Sequence, residues 1–392
     1  MISKESIYYI SLTIFFFNFL FKGYIDELGV DFSFSSSILL IISSFFSVFS
    51  IILYFSNRRI QKIDIVFFFL LIYILSSLIA TDDKIKAIIF IVTVINYMSA
   101  FLILKKCSIT NVFGKLIIIM SVFFVISSFY IEIMDVPRLI RANSESFDYI
   151  CGADNSIRWC GITYNPNYLA MVSYTLIILI LYIKNIKNIK IRANVLMLSL
   201  FVLIIFSMSR TFIIATFITF FFRMFLFSRI ENKFFNFLIL LIFLLSIYGV
   251  FNYLDVVNIF DISNRFSSSS GRLELSIGGW DKFLEQLLIP RGLNLNEDYS
   301  QYFYGWKRLL DSGYLNILVS FGLSGMAVFF YIMFYLLCKI KVSDRNYKKL
   351  FIPVIISLLF ILFLEDVIIR TPFFLIVISL MFNDFYKSSR NE

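Results

Sequence analysis

Residues 194–227 read NVLMLSLFVLIIFSMSRTFIIATFITFFFRMFLF, and this stretch decides the class of fold. Two apolar runs, at about 194–207 and 211–227, flank Ser207-Met208-Ser209-Arg210-Thr211, a polar turn too short to be a domain. Each run is close to the roughly 20 residues that carry a helix through a bilayer. The stretch therefore predicts two helices that reverse at one membrane face. Composition agrees. The 392 residues are 60% hydrophobic, 19% aromatic and only 16% charged, with mean hydropathy +0.87. A soluble domain is about 25% charged and about 45–50% apolar, so this class is excluded.

Outward from that hairpin, apolar runs fall at about 7–21, 38–55, 63–80, 85–104, 112–134 and 166–183. Others follow at about 234–253, 313–337, 350–365 and 371–386. With the first two these predict an all-α polytopic membrane protein of about 12 transmembrane helices, one integral membrane domain over residues 1–392. The first run has Lys4 ahead of it and no small-residue cleavage site after Phe21, so it reads as a retained span.

Basic residues set the expected orientation. Alternate connections hold Arg58, Arg59 and Lys62; Lys105 and Lys106; Lys184, Lys187, Lys190 and Arg192; Arg223, Arg229 and Lys233. Lys339, Lys341, Arg345, Lys348 and Lys349 form the next group, and Lys387 and Arg390 the last. With Lys4 and Lys115, one side holds 21 of the 35 basic residues but 6 of the 26 acidic ones, so the net +9 divides into +15 and −6. The positive-inside rule then puts both termini in the cytoplasm. The basic balance is topological and points to no nucleic acid.

Polar sequence gathers on the other side. Two long extracytoplasmic loops are expected, at 135–165 and 254–312, and loops of the latter length are usually functional. They hold all three tryptophans, Trp159, Trp280 and Trp306. An interfacial belt would decorate both faces, so the one-sided placement favours platforms that stack on sugar rings. Nine outer basic residues are arginines: Arg138, Arg141, Arg158, Arg210, Arg265, Arg272, Arg291, Arg308 and Arg370. Arginine's planar fork suits phosphate, although salt bridges to loop carboxylates also account for some of them. Arg210 stands out because a charge at membrane depth is costly unless it pairs, faces a polar cavity or snorkels to the surface.

Within the larger loop, Ser267-Ser268-Ser269-Ser270-Gly271 is a helix start signal. Leu273, Trp280, Leu284 and Leu287 then share a face, predicting an amphipathic helix over about 272–288 suited to the membrane surface. Pro290-Arg291-Gly292 ends it. Further on, Asp311-Ser312-Gly313-Tyr314-Leu315 opens a helix whose Gly322 and Gly325 would allow close packing against a neighbour. Asp311 reads either as a functional carboxylate or as a helix N-cap or partner of Arg308. Cys151 and Cys160 share one loop and form either a disulfide or two free thiols.

There is no histidine, which removes the commonest catalytic base and metal ligand. Walker, Gly-x-Gly-x-x-Gly, zinc-spaced cysteine and Asp-x-Asp motifs are also absent. No cofactor is expected. Activated substrate would then arrive as a pyrophosphate-linked lipid already in the membrane.

Four segments carry a family resemblance. They are Gly161-Ile162-Thr163-Tyr164-Asn165-Pro166-Asn167-Tyr168-Leu169-Ala170; Ser209-Arg210-Thr211; Ser270-Gly271-Arg272 followed by Trp280; and Asp311 to Leu315 with Gly322 and Gly325. In that order the chain resembles the O-antigen polymerase (Wzy) group, within the superfamily that includes O-antigen ligases. The resemblance covers about 160–330 as local motifs and the rest only in span count and topology.

It implies a metal-independent, inverting glycosyltransferase of GT-C type in the bacterial inner membrane, active at the periplasmic face in lipopolysaccharide or capsule-type polysaccharide biosynthesis. Such an enzyme passes a glycan from undecaprenyl pyrophosphate to another lipid-linked repeat unit. A chain-length regulator and a flippase are the implied protein partners. On this reading Arg210 and Arg272, with Arg291, clamp the pyrophosphate, while Asp311 activates the acceptor and Glu274 is its alternate. Arg308, Trp280, Trp306, Tyr314, Asn165 and Asn167 complete the expected substrate contacts. Ligases of this superfamily usually carry a histidine near the position of Asp311, so a chain without one fits a polymerase better. The rival readings are a ligase, a lipid-linked oligosaccharide flippase and, more distantly, a membrane O-acyltransferase.

Overall fold

The computed structural model describes, apart from isolated positions, residues 10–16, 45–52, 95–104, 111–134, 159–186, 193–227, 276–287, 312–365 and 376–381. The described residues are helical with no strand. The principal helices are α1 (Asn111–Ile133), α2 (Pro166–Ile186), α3 (Asn194–Phe206), α4 (Arg210–Phe227), α5 (276–285), α6 (Gly313–Val342) and α7 (Arg345–Leu364). The runs expected at 63–80 and 234–253 lie outside the described residues, as do parts of those at 7–21, 38–55, 85–104 and 371–386.

Among the described residues, four segments are long and apolar enough to cross a membrane: Gly114–Ile133, Pro166–Lys184, Gly313–Val342 and Arg345–Leu364. α3 is shorter than expected for a span. Its 13 residues rise about 20 Å, against about 30 Å of hydrocarbon. Two compact units divide the chain: Met1–Leu75, Asp83–Ile213 and Thr371–Glu392 make one, and Ser76–Asp82 with Ile214–Arg370 make the other.

In the first unit, α1 separates its side chains by face. Ile117, Ser121, Phe124, Ser128 and Ile131 recur at helical spacing and are buried, while Ile119, Phe123, Ile126, Tyr130 and Ile133 are exposed. Ser121 and Ser128 lie inside and the outward face is mainly oily, the distribution a lipid solvent favours. α2 has no such outer face, with 89% of its span buried against 28% for α1. Within its span Ser173, Tyr174, Thr175 and Tyr182 are all enclosed. Without a hydrophobic drive between helices in lipid, packing and hydrogen bonds must hold α2 in place. Thr175 Oγ1 donates to Met171 O at 2.8 Å, keeping its proton inside the helix.

In the second unit, α4 and α7 meet through hydroxyls. Thr219 Oγ1 is 2.9 Å from Ser357 Oγ, which in turn donates to Val354 O at 2.9 Å. Such interhelical bonds contribute on average about 0.6 kcal/mol each in membranes. α6 starts close against the end of α7: a Cβ on Gly313 would lie 3.0 Å from Leu362 Cδ2 and 3.1 Å from the Glu365 carbonyl. Gly313 is therefore the glycine that permits helix–helix approach here.

The expectation for Gly322 and Gly325 needs correction. Gly322 has φ 65° and ψ −166° and kinks α6 between 313–321 and 323–342. A side chain would disfavour that backbone. Gly325 makes room for Phe321 of the same helix, whose Cβ occupies the space an alanine methyl would need. Both glycines serve the bend. The kink also frees the Leu323 amide from a regular helical bond, and it donates instead to Leu287 O at 3.0 Å.

Candidate functional site

Two turns in the first unit carry segments singled out by the sequence. The first runs from Trp159 to Asn167. Trp159 is fixed by its neighbours: its N–H donates to Phe206 O at 2.9 Å, its ring stacks on Phe206 with centroids 4.4 Å apart, and it meets the Phe129 ring edge-on at 5.4 Å. The indole is a wedge joining α1 and α3. It is not a sugar platform.

The next two amides, of Cys160 and Gly161, both donate to Glu132 Oε1 at 2.6 Å. Hydrogen bonds to an ionised carboxylate are about twice as strong as neutral ones. Glu132 thus ties the end of α1 to the approach of α2. Gly161 has φ 52°, and a Cβ there would stand 2.9 Å from Ser128 Cβ and 3.0 Å from Leu169 Cδ1. Both the backbone and the space demand glycine. Cys160 is disulfide-bonded, its partner lying outside the described residues.

The turn then caps its own helix. Thr163 Oγ1 lies 2.8 Å from Cys160 O and 2.9 Å from Asn165 O. Asn165 Oδ1 accepts from the amides of Asn167 at 2.9 Å and Tyr168 at 3.1 Å. Asn165 is the N-cap of α2, and Pro166 follows at the first helical position, where its missing N–H costs nothing. The Asn165 side-chain oxygen is occupied by the helix.

The second turn joins α3 to α4. Ser207 Oγ donates to Ile204 O at 2.6 Å and accepts from the Ser209 amide at 3.2 Å. Met208 has φ 51°, a left-handed conformation rare outside glycine. Such strain costs of order 1–3 kcal/mol and gathers at ligand clamps and active sites. Ser209 precedes α4, and its carbonyl accepts from Ile213 at 3.0 Å. Its hydroxyl, in a residue only 2% exposed, has no hydrogen-bond partner. Arg210 follows, with its side chain exposed. A helix provides no acceptor for its first amides, and its dipole favours anions there. A spare hydroxyl, a helix N-terminus and a guanidinium thus stand on consecutive residues, the donor set that phosphate oxygens require.

The remaining expected residues divide. Tyr314 is engaged in structure: its hydroxyl donates to Leu359 O at 3.0 Å and its ring meets Phe329 edge-on at 5.8 Å. Asn167 is the second residue of α2, half-buried. Trp280 lies on α5, 49% exposed, with its ring 5.4 Å from Phe283. Ser312 is the N-cap residue of α6, so that role does not fall to Asp311. Asp311, Arg272, Glu274, Arg291, Arg308 and Trp306 lie outside the described residues. Sequence reading missed Glu132. Its partners are 28 and 29 residues away, and no local pattern announces such a bond.

Helices of this length and apolarity define a multi-pass helical membrane protein. Residues 193–330 match the family model described as O-antigen ligase. The match supports the O-antigen polymerase/ligase superfamily, and with it a membrane protein of O-antigen-type glycan assembly. It spans the Ser207–Thr211 turn, α5 and the kinked part of α6, and stops short of the Cys160–Asn167 turn. No curated protein and no solved structure matches the chain.

Proposed function

We propose that the chain is a polysaccharide polymerase, a GT-C-type glycosyltransferase of about twelve spans working at the outer face of the bacterial inner membrane. It moves a glycan from undecaprenyl pyrophosphate onto a sugar of a second lipid-linked repeat unit. The observation that carries this reading is the Ser207–Thr211 turn: a strained Met208, a buried Ser209 hydroxyl without a partner and an exposed Arg210, within the family match.

In this mechanism Arg210, Arg272 and Arg291 hold the donor pyrophosphate, and Ser209 donates to one of its oxygens. The acceptor hydroxyl attacks the anomeric carbon opposite the pyrophosphate, and the anomeric C–O bond breaks. Undecaprenyl pyrophosphate leaves, while Asp311, or Glu274 in its place, receives the hydroxyl proton. Arg308 and Trp306 hold the sugars. The arginines stabilise the charge that grows on the leaving phosphate, and in comparable electrostatic sites removing one donor costs about 10²–10³ in rate. The disulfide at Cys160 supports placing the first turn on the oxidising side, as the basic residues of the connections do.

The ligase reading has its own support in the family model's description. The absence of histidine favours the polymerase. Purified protein incubated with lipid-linked repeat units alone should yield polymer with a ladder of lengths. If polymer forms only when a separate lipid acceptor is added, the protein is a ligase. If no glycosidic bond forms but lipid-linked glycan crosses proteoliposomes, the enzyme reading fails.

A further inference from the structure

α5 presents three kinds of surface around one short axis. Gly279 and Phe283, four residues apart, face the protein, and Phe283 is buried with Leu315 and Val319 against Leu318 of α6. Asp281, Lys282 and Glu285 occupy another side, with Lys282 and Glu285 paired at 3.7 Å in the open. Between these sectors run Ile277, Trp280 and Leu284, continued by Leu287, at spacings of three, four and three residues. All four are exposed although large and apolar. A helix held only by the protein needs two sectors, one in and one out. The apolar outward sector needs a third environment.

The structure also indicates where that environment lies. Leu287 O accepts the amide that the Gly322 kink frees at Leu323, so the stripe ends beside α6. There it continues into the exposed Leu323, Phe330, Phe334 and Leu337, at seven-, four- and three-residue spacing down one face of a membrane-length helix. Whatever solvates that face of α6 also reaches the stripe. These four half-exposed side chains are far fewer than the roughly 20–30 residues a side of a stable protein interface. Tryptophan at the boundary of lipid and water, with charges on the adjoining side, is the arrangement of an interfacial helix.

We propose that α5 lies in the headgroup region of the bilayer, with Ile277, Trp280, Leu284 and Leu287 in the acyl chains and the Lys282–Glu285 side in water. The helix is a membrane float attached to α6 at its kink. Trp280 is then a lipid anchor and not a sugar platform. This proposal stands apart from the polymerase reading, since it concerns position and not turnover.

The test uses the full-length protein with Trp159→Phe and Trp306→Phe, leaving Trp280 as the single tryptophan, in phosphatidylcholine–phosphatidylglycerol vesicles. Lipid brominated near the headgroup should remove roughly half of the emission, as burial about 5–10 Å below the surface requires, and lipid brominated at the chain end should remove much less. Because Trp159→Phe touches a packed wedge, a second measurement uses nitroxide on Leu284→Cys and on Glu285→Cys, with Cys107 and Cys338 replaced by serine. The label at 284 should collide mainly with oxygen and that at 285 mainly with an aqueous nickel chelate. Emission unmoved by either bromolipid, or equal nickel access at 284 and 285, would overturn the proposal. Protection of Trp280 appearing only after lipid-linked oligosaccharide is added would return it to the substrate site and overturn it equally.

Discussion

The turns at Cys160–Asn167 and Ser207–Thr211 are both polar islands between long apolar helices, and they use their polar groups in opposite ways. In the first, Glu132, Thr163 and Asn165 are matched to backbone partners from the chain itself. In the second, the backbone is twisted at Met208, one buried hydroxyl is left over at Ser209, and Arg210 faces outward. Strain with an unmet donor is expected where a ligand completes the structure. A turn whose capping groups are matched in this way positions helices. The comparison separates a joint from a binding site, although both segments suggested the same family.

The sharpest way to break this distinction is Arg210→Ala. In cells lacking the gene it should leave only single-repeat product at normal protein levels, a loss of about 10²–10³ in rate, read from polysaccharide ladders beside membrane immunoblots. Full ladders would remove the second turn from the site. Next in size is Glu132→Ala, which leaves two amides unmatched at about 1–3 kcal/mol each. It should lower the unfolding temperature in detergent, followed by Trp159 emission, while activity per folded molecule survives. If activity vanishes with the unfolding temperature unchanged, the first turn is not merely a joint.

Ser209→Ala sharpens the comparison from the other side. Loss of one neutral donor to phosphate should slow polymerisation by about tenfold, with stability unchanged or raised, because a buried unmatched hydroxyl is costly. The smallest effect belongs to Asn165→Ala, the loss of a cap at about 1 kcal/mol. Its Asp variant should retain most of that stability.

The helices were legible because a long apolar run in a chain of this composition has one physical solution, and the predicted start at 166 coincides with Pro166. The cap was legible too, since Asn before Pro is a helix-start signal. Glycine roles were not. Gly313, Gly322 and Gly325 look alike in sequence, yet one admits a neighbouring helix, one bends its own and one accommodates Phe321. Which applies depends on φ and on atoms from elsewhere in the chain. Glu132 was hidden for the same reason. The predicted helix at about 272–288 had the right face, and its described part runs over 276–285, positions 272–275 lying outside the described residues.

The burial of α2 has a consequence for how the protein is made. α1, the more apolar of the two, can rest in lipid by itself, whereas α2 is less apolar and carries enclosed hydroxyls on several sides. Spans insert before they pack, so α2 enters the bilayer as a poor guest and becomes stable only when α1 and α3 close around it. The bonds from Glu132 to Cys160 and Gly161 hold the start of α2 beside α1 from the moment both emerge. A nascent chain stalled after Ile186 should therefore keep α2 loosely inserted and open to membrane quality-control proteases, and synthesis through Phe206 should end that exposure.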